Sequence, residues 1–110
     1  MARESLGLVQ GTVDVLILKT LAWSPMHGYG IAQWIRQRSD GALAVEDAAL
    51  YQALHRLERK GWVESEWGVS DTNRKAKFYS ITKDGRKQMQ SDVADLRRYV
   101  EALFKVLQTT

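Results

Sequence analysis

The sequence predicts a mainly α-helical domain with a small β-hairpin and a long C-terminal helix, and three observations support this fold class. Three segments with helical periodicity come first. Two short strand-like segments follow, separated by a polar and basic loop. The last segment keeps helical periodicity almost to the end of the sequence. Three helices followed by a β-hairpin is the order of a winged helix-turn-helix.

The composition is that of one globular domain with an appendage. The sequence has 110 residues, 45% of them hydrophobic and 26% charged, with a net charge of +3. We expect a winged-helix domain over 1–82 and a C-terminal dimerisation helix over 83–110. No apolar run approaches the roughly twenty residues of a membrane span. Since residues 1–5 also lack a signal-peptide pattern, we expect a cytoplasmic protein with no membrane partner.

The first helix is predicted from Thr12 to Trp23, with Gly11 or Thr12 as its cap. Apolar residues lie on nearly all sides of this helix. That pattern is typical of a helix at the centre of a domain or one shared with a partner. Ser24-Pro25 ends the helix, because the residue before a proline avoids helical geometry.

A second helix is predicted from about Gly28 to Ser39. Ile31, Trp34 and Ile35 are spaced to share one face of it. The following Asp40-Gly41 is a turn signal.

A third helix is predicted over about Asp47 to Lys60, with Gly61 as its left-handed terminator. Trp62 to Trp67 and Ala76 to Ile81 follow as strands, and Gly68 to Lys75 is predicted as the loop between them. Side chains alternate between the two faces of a strand, and aromatic residues occur on both faces of these strands. The pattern therefore leaves open which face is buried.

The third helix separates an aliphatic side from a polar side at about 100° per residue. The aliphatic side is formed by Leu50, Ala53, Leu54 and Leu57. The opposite side carries Ala48, Gln52, His55, Arg56 and Arg59, with Tyr51 on its flank. A helix that reads the DNA major groove needs this composition, because Arg and Gln reach base edges and small residues allow a close approach.

The predicted hairpin adds a second polar and basic group, formed by Asn73, Arg74, Lys75 and Lys77. A wing could lay these residues along an adjacent phosphate backbone. An amphipathic helix usually just has a solvated polar side, however, and Arg56 and Arg59 could simply pair with Glu58 or other acids. The alternative is therefore a winged-helix module that binds protein and not DNA, although the cations on the exposed face favour phosphate.

The last helix begins after Thr82, its predicted cap, and extends roughly 38 Å to about residue 107. Its apolar residues are separated by 4, 3, 4, 3 and 4 positions, which is a heptad pattern. They are Met89, Val93, Leu96, Val100, Leu103 and Leu107. The stripe could cover its own domain, but three helices and a hairpin already form a closed unit. We therefore expect the stripe to pair two copies of the chain, packing either against the partner's stripe or against the partner's apolar first helix. A two-fold homodimer would hold two third helices about 34 Å apart over a pseudo-palindromic site.

Nothing in the sequence predicts catalysis, a metal or a cofactor. The sequence contains no cysteine, and its two histidines, His27 and His55, form no ligand or catalytic motif. Four tryptophans could line a pocket for a planar effector, but Trp34 and Trp62 are expected in the core. The pattern does not select which tryptophan would contact a ligand.

Five segments together resemble the PadR family of winged-helix transcriptional regulators, in particular a short, acidobacterial-type subclass. They are Gln10 to Leu18, Pro25 to Ile31, Leu50 to Glu58, Gly61 to Trp67 and Arg74 to Thr82, within about residues 6 to 107. The resemblance implies a homodimeric, double-stranded-DNA-binding repressor. It also implies that a small aromatic or hydrophobic effector can bind at or near the dimer interface.

The chain departs from the family pattern at the start of the third helix. Ala48-Ala49 stands where the family usually has Gly-Ser or Gly-Thr, and Gln52 stands where it usually has proline. The alanines remove a hydroxyl that could contact phosphate. Gln52 restores a backbone donor and adds an amide that could read adenine. We therefore expect the fold to be kept and the DNA site to differ.

Overall fold

A computed structural model describes residues 11–109 of the chain. The elements in chain order are α1 (Thr12–Trp23), β1 (Met26–His27), α2 (Gly28–Arg38), α3 (Asp47–Arg59), β2 (Val63–Val69), β3 (Lys75–Ile81) and α4 (Lys83–Leu107). The predicted winged helix-turn-helix with a long C-terminal helix is confirmed. The expected start of the domain, including Gln10, lies outside the described residues, as does Thr110.

Helix α1 lies at the centre of the domain and packs against α2, α3, β3 and α4. Ile17, Leu18 and Leu21 are almost completely buried. Thr20 is also buried, and its hydroxyl donates to the Leu16 carbonyl at 2.8 Å, which satisfies its polar group within the helix. The central position explains why α1 is apolar on nearly all sides.

Helix α3 buries the aliphatic side that its spacing predicts. Its four aliphatic residues join the core formed with α1 and α2: Leu50, Ala53, Leu54 and Leu57. The helix ends at Arg59, and Gly61, the predicted left-handed terminator, takes a φ of 77°. The Trp62 N–H then donates to the Leu57 carbonyl at 3.0 Å, so the chain turns at once into β2.

The sheet has three antiparallel strands in the order β1-β3-β2. The two-residue strand β1, which the sequence pattern did not predict, pairs Met26 with Tyr79 and His27 with Phe78. Strand β2 continues to Val69, so the hairpin loop contains only residues 70–74. The sequence predicts a longer loop because glycine is typical of turns, whereas Gly68 pairs with Ala76 in the sheet.

The register shows which side of the hairpin is buried. Val63 pairs with Ile81, Ser65 pairs with Tyr79, and the buried Val63 and Tyr79 lie on the side that faces the helices. Phe78 lies on the opposite side, where its ring meets the His27 ring edge-on at 5.3 Å.

Hydrogen bonds connect the start of α4 to the turn that follows α3. The Thr82 hydroxyl accepts from the Gly85 N–H at 3.0 Å, which confirms the predicted cap. The same hydroxyl donates to the Gly61 carbonyl at 2.7 Å. Gly85 is required here, because a Cβ at this position would overlap the Trp62 carbonyl oxygen. These contacts fix where α4 leaves the domain.

We predict that Gly85→Ala lowers the free energy of unfolding by about 1–3 kcal/mol, because the added methyl meets backbone and not a flexible side chain. Urea denaturation followed by circular dichroism measures the effect. Ser91→Ala, at an exposed position of the same helix, is the matched control and should change stability by less than about 0.5 kcal/mol. Equal stability of the two variants would contradict the close approach at Gly85.

Candidate nucleic-acid interface

The side of α3 opposite the core is open to solvent. Five residues of the predicted DNA-reading face are exposed there: Ala48, Tyr51, Gln52, His55 and Arg59. Their exposure follows from the helical period. Because Leu50 and Leu57 are buried, residues about half a helical turn from them must face solvent. Within residues 11–109, Arg59 has no ion-pair partner, so its charge is available to a ligand.

Arg56 pairs with an acid, which is one of the alternatives that the sequence left open for it. Its Nη2 contacts the Asp14 Oδ1 of α1 at 2.7 Å, and the two side chains are 42% and 24% exposed. Arg56 therefore sits at the edge of the face nearest α1, where it joins the two helices. The sequence could not show this pair, because the partners are 42 positions apart.

Glu58 is not the partner of either arginine. Its carboxylate accepts a hydrogen bond from the Ser65 hydroxyl at 2.9 Å, which connects α3 to β2. Beside it, burial raises the pKa of the Tyr79 phenol above its ordinary value, and the nearby charges of Glu58 and Tyr51 raise it further. Tyr79 thus remains a neutral packing group between α3 and the hairpin.

The hairpin, here called the wing (residues 63–81), has a basic side and an acidic side. Trp67 pairs with Lys77 on the side that faces the helices, and the Lys75 Nζ lies 5.1 Å from the centre of the Trp67 ring. Glu64 and Glu66 lie on the opposite side, since side chains alternate along a strand. The basic side of the wing is therefore the side of the sheet that faces the helices.

Four wing residues were predicted to contact DNA as a loop and its continuation, and the structure divides them between two elements. Asn73 and Arg74 are exposed in the loop, where Asn73 takes a left-handed φ of 61°. Lys75 and Lys77 belong to β3, so their directions are set by the sheet and not by the loop.

A groove of about 1100 Å³ lies between the start of α2 and the wing. The groove is lined by His27 and Tyr29 at the start of α2, by Lys75 and Lys77 of the wing, and by Tyr51, which also belongs to the exposed face of α3. The sequence analysis placed no functional residue at the start of α2. The available signal was a histidine directly before a predicted helix, which is a capping position.

Helix α4 changes from core to surface along its length. Met89 was predicted on the dimer seam, but it is only 8% exposed and belongs to the protomer's own core, with Val93 packed against that core. Leu96 is half-buried. The residues that extend past the domain carry an exposed apolar surface: Tyr99, Val100, Leu103, Phe104 and Leu107. The available seam therefore begins near Leu96.

The four tryptophans divide into two pairs. Trp34 and Trp62 pack against the core, as predicted. Trp23 and Trp67 are exposed. Arg38 stacks on both Trp23 and Trp34, with its guanidinium carbon 6.0 and 5.2 Å from the two ring centres.

No group of three or more His, Asp or Glu side chains within residues 11–109 could hold a metal ion. None of the helices in that range is long and apolar enough to cross a membrane.

Residues 17–91 match the Transcriptional regulator PadR-like family. A transcriptional regulator from Clostridium thermocellum has a similar structure, with a TM-score of 0.79 and 29% identity, covering 87% of this chain and 90% of that one. A PadR family transcription regulator from Clostridium difficile gives a TM-score of 0.76 and 25% identity, covering 88% and 99%. Bacillus subtilis PadR, solved in complex with operator DNA, shares the fold alone, with a TM-score of 0.66 and 18% identity, covering 74% and 46%.

We predict that Asp14 and Arg56 are energetically coupled. A double-mutant cycle of Asp14→Asn, Arg56→Gln and the combined variant should give a coupling free energy of about 0.5–1 kcal/mol, because the pair is only partly buried. Urea unfolding at low and high salt measures it, and the coupling should decrease as salt is added. Additive effects of the two substitutions would show that the pair does not join α1 to α3.

Proposed function

The chain belongs to the PadR-like family of transcriptional regulators, and we propose that it acts by binding double-stranded DNA as a homodimer. Its family consists of transcriptional regulators and not enzymes. The observation that carries the proposal is the exposed polar face of α3, whose Tyr51 lines the same groove as Arg74, Lys75 and Lys77 of the wing. The centre of a protein-binding surface is usually depleted in charged residues, whereas this face carries the exposed Arg59.

In this proposal α3 enters the major groove and the wing contacts the neighbouring phosphate backbone. Gln52 lies in the second turn of α3, and its exposed amide is suited to an adenine edge, while Ala48 allows close approach. The proposed DNA-contacting residues are Ala48, Tyr51, Gln52, His55, Arg59, Asn73, Arg74, Lys75 and Lys77. Arg56 is placed at the edge of this set, since Asp14 holds it.

The homodimer is proposed to form through the part of α4 that leaves the domain. Leu103 is 42% exposed and Leu107 is 64% exposed in the single protomer, and both continue the heptad stripe of Leu96 and Val100. Pairing two such helices buries this apolar surface. We propose 83–110 as the dimerisation segment and the residues before it as the DNA-binding domain, with Met89 and Val93 serving as the anchor between them.

Repression, a cytoplasmic location and release by a small aromatic or hydrophobic effector complete the proposal. These three features rest on the family alone. No effector residues are proposed, because the exposed Trp23 and Trp67 lie on different elements, α1 and β2.

We predict that Gln52→Ala and Lys75→Met weaken DNA binding in different ways. The first should cost about 1–3 kcal/mol on the preferred site and relax the preference at one base pair. Lys75→Met should lower the affinity for all DNA sequences by a similar factor and reduce the slope of log affinity against log salt concentration by about 0.9. Selection from a random duplex pool, followed by salt titration of fluorescence anisotropy, measures both.

The charge-matched control for this pair is Lys19→Met, at an exposed position of α1, which should leave the slope unchanged. Wild-type binding that ignores salt would count against DNA as the partner and favour a protein-binding module. Retention of full affinity and base preference by Gln52→Ala would show that α3 does not read bases through this residue.

We predict that Leu103→Asp converts the dimer into a folded monomer, because a carboxylate would be buried in the seam without a partner. Sedimentation equilibrium at several protein concentrations measures the mass. Gln90→Asp, an equal charge change at an exposed position below the seam, should remain dimeric. A wild-type protein that is monomeric throughout the concentration range would contradict the proposed seam.

A further inference from the structure

We infer that Asp14 limits the affinity of the protein for DNA of any sequence, because it holds Arg56 away from the phosphate backbone and opposes that backbone with its own negative charge. This inference rests on the proposed DNA binding and assigns a role to a residue of α1. The feature behind it is the ion pair in which the Arg56 Nη2 donates to the Asp14 Oδ1 at 2.7 Å.

The ion pair lies on one flank of the exposed face of α3. At about 100° per residue, Tyr51 and Arg56 are about 140° apart around the helix axis, with Gln52 between them. The Tyr51 flank lines the groove beside the wing. The Arg56 flank is next to the start of α1, because Asp14 contacts it there. The two flanks of α3 therefore have different neighbours.

Both flanks would face phosphates when α3 occupies the major groove of DNA. The major groove is about 12 Å wide and a helix with its side chains is about 10–12 Å across, so a phosphate backbone lies close to each side of the helix. On the wing side, the phosphates would meet the cations that line the same groove as Tyr51. On the α1 side, they would meet Arg56 together with Asp14, a pair whose charges cancel.

The contact between Arg56 and Asp14 is suited to exchange and not to fixing the guanidinium. Among the contacts of residues 11–109, the two side chains share one hydrogen bond, whereas a bidentate pair would set the plane of the guanidinium. The side chains are also 42% and 24% exposed, so solvent screens their attraction. Because a guanidinium has several N–H donors, a phosphate can compete with Asp14 for Arg56.

Asp14 remains at this flank when Arg56 turns to a phosphate. It belongs to the first turn of α1, where the free N–H groups of a helix favour a negative charge. Its carboxylate would then lie near the phosphates that Arg56 contacts, and like charges repel. Asp14 therefore lowers DNA affinity both by competing for Arg56 and by repulsion. Since phosphate contacts carry no sequence information, the effect is the same for every duplex.

The first variant is Asp14→Asn, which removes the charge and keeps the size of the side chain. Its affinity for a random-sequence duplex should be about three- to tenfold higher than that of the wild type, because Arg56 becomes one further phosphate contact. For the same reason, the slope of log affinity against log salt concentration should be steeper by about 0.9. Fluorescence anisotropy between about 50 and 200 mM salt measures both. A gain in affinity cannot result from a loss of fold.

Arg56→Gln provides the second variant. Alone, it leaves the Asp14 carboxylate beside the DNA without its partner, so affinity should fall below that of the wild type. Combined with Asp14→Asn, it should remove the gain in affinity and in slope. Asp84→Asn is the matched control, since Asp84 is exposed in the first turn of α4 and has no ion-pair partner within residues 11–109. This control should bind like the wild type.

Lower affinity of Asp14→Asn would show that Asp14 positions Arg56 for DNA, which would overturn the inference and leave the proposed function intact. Unchanged affinity of Asp14→Asn, or an equal gain in Asp84→Asn, would overturn the inference in the same way. Failure of both the wild-type protein and Asp14→Asn to bind any duplex would instead overturn the proposed function on which the inference rests.

Discussion

Burial of the aliphatic side of α3 against α1 is the constraint on which the rest of the structure depends. Leu50, Leu54 and Leu57 are almost completely removed from water, and each would lose roughly 1.5–3 kcal/mol of transfer free energy if exposed. A helix that is fixed on one side by such burial has no freedom to rotate. Gln52 and Arg59 face solvent for that reason and not because of any contact of their own. The exposed face of α3 is thus a geometric consequence of the core.

Two acidic residues beside α3 are bound to side chains of the fold and leave Arg59 without a neutralising partner. Asp14 pairs with Arg56 at the edge towards α1, and Glu58 accepts from Ser65 on the edge towards the wing. Both carboxylates therefore join elements of the fold, while Arg59 remains unpaired within the described residues. A net charge of only +3 is compatible with a polyanionic partner when charge is distributed in this way, because the local potential matters more than the sum.

Local patterns were sufficient to predict the helices, the buried side of α3, the terminator Gly61 and the cap Thr82, because each depends on residues within a few positions. The sequence did not reveal β1, since two residues have no periodicity of their own and form a strand only by pairing with β3. It also missed the partner of Arg56 and the burial of Met89. These depend on how distant segments pack, and a heptad pattern is the same whether it faces the core or a second chain.

Helix α4 belongs to the core of the protomer at its start and to the proposed dimer seam at its end. The helix therefore connects the core directly to the seam. Met89 anchors it in the core, and Thr82 bonds its first turn to Gly61, the residue that terminates α3. A 25-residue helix is stiff, so a change in the angle between two paired α4 helices would be carried to this junction. In the proposed homodimer, the distance between the two α3 helices is therefore set by the seam. An effector that altered the pairing of the α4 helices would change that distance without touching the DNA-binding face.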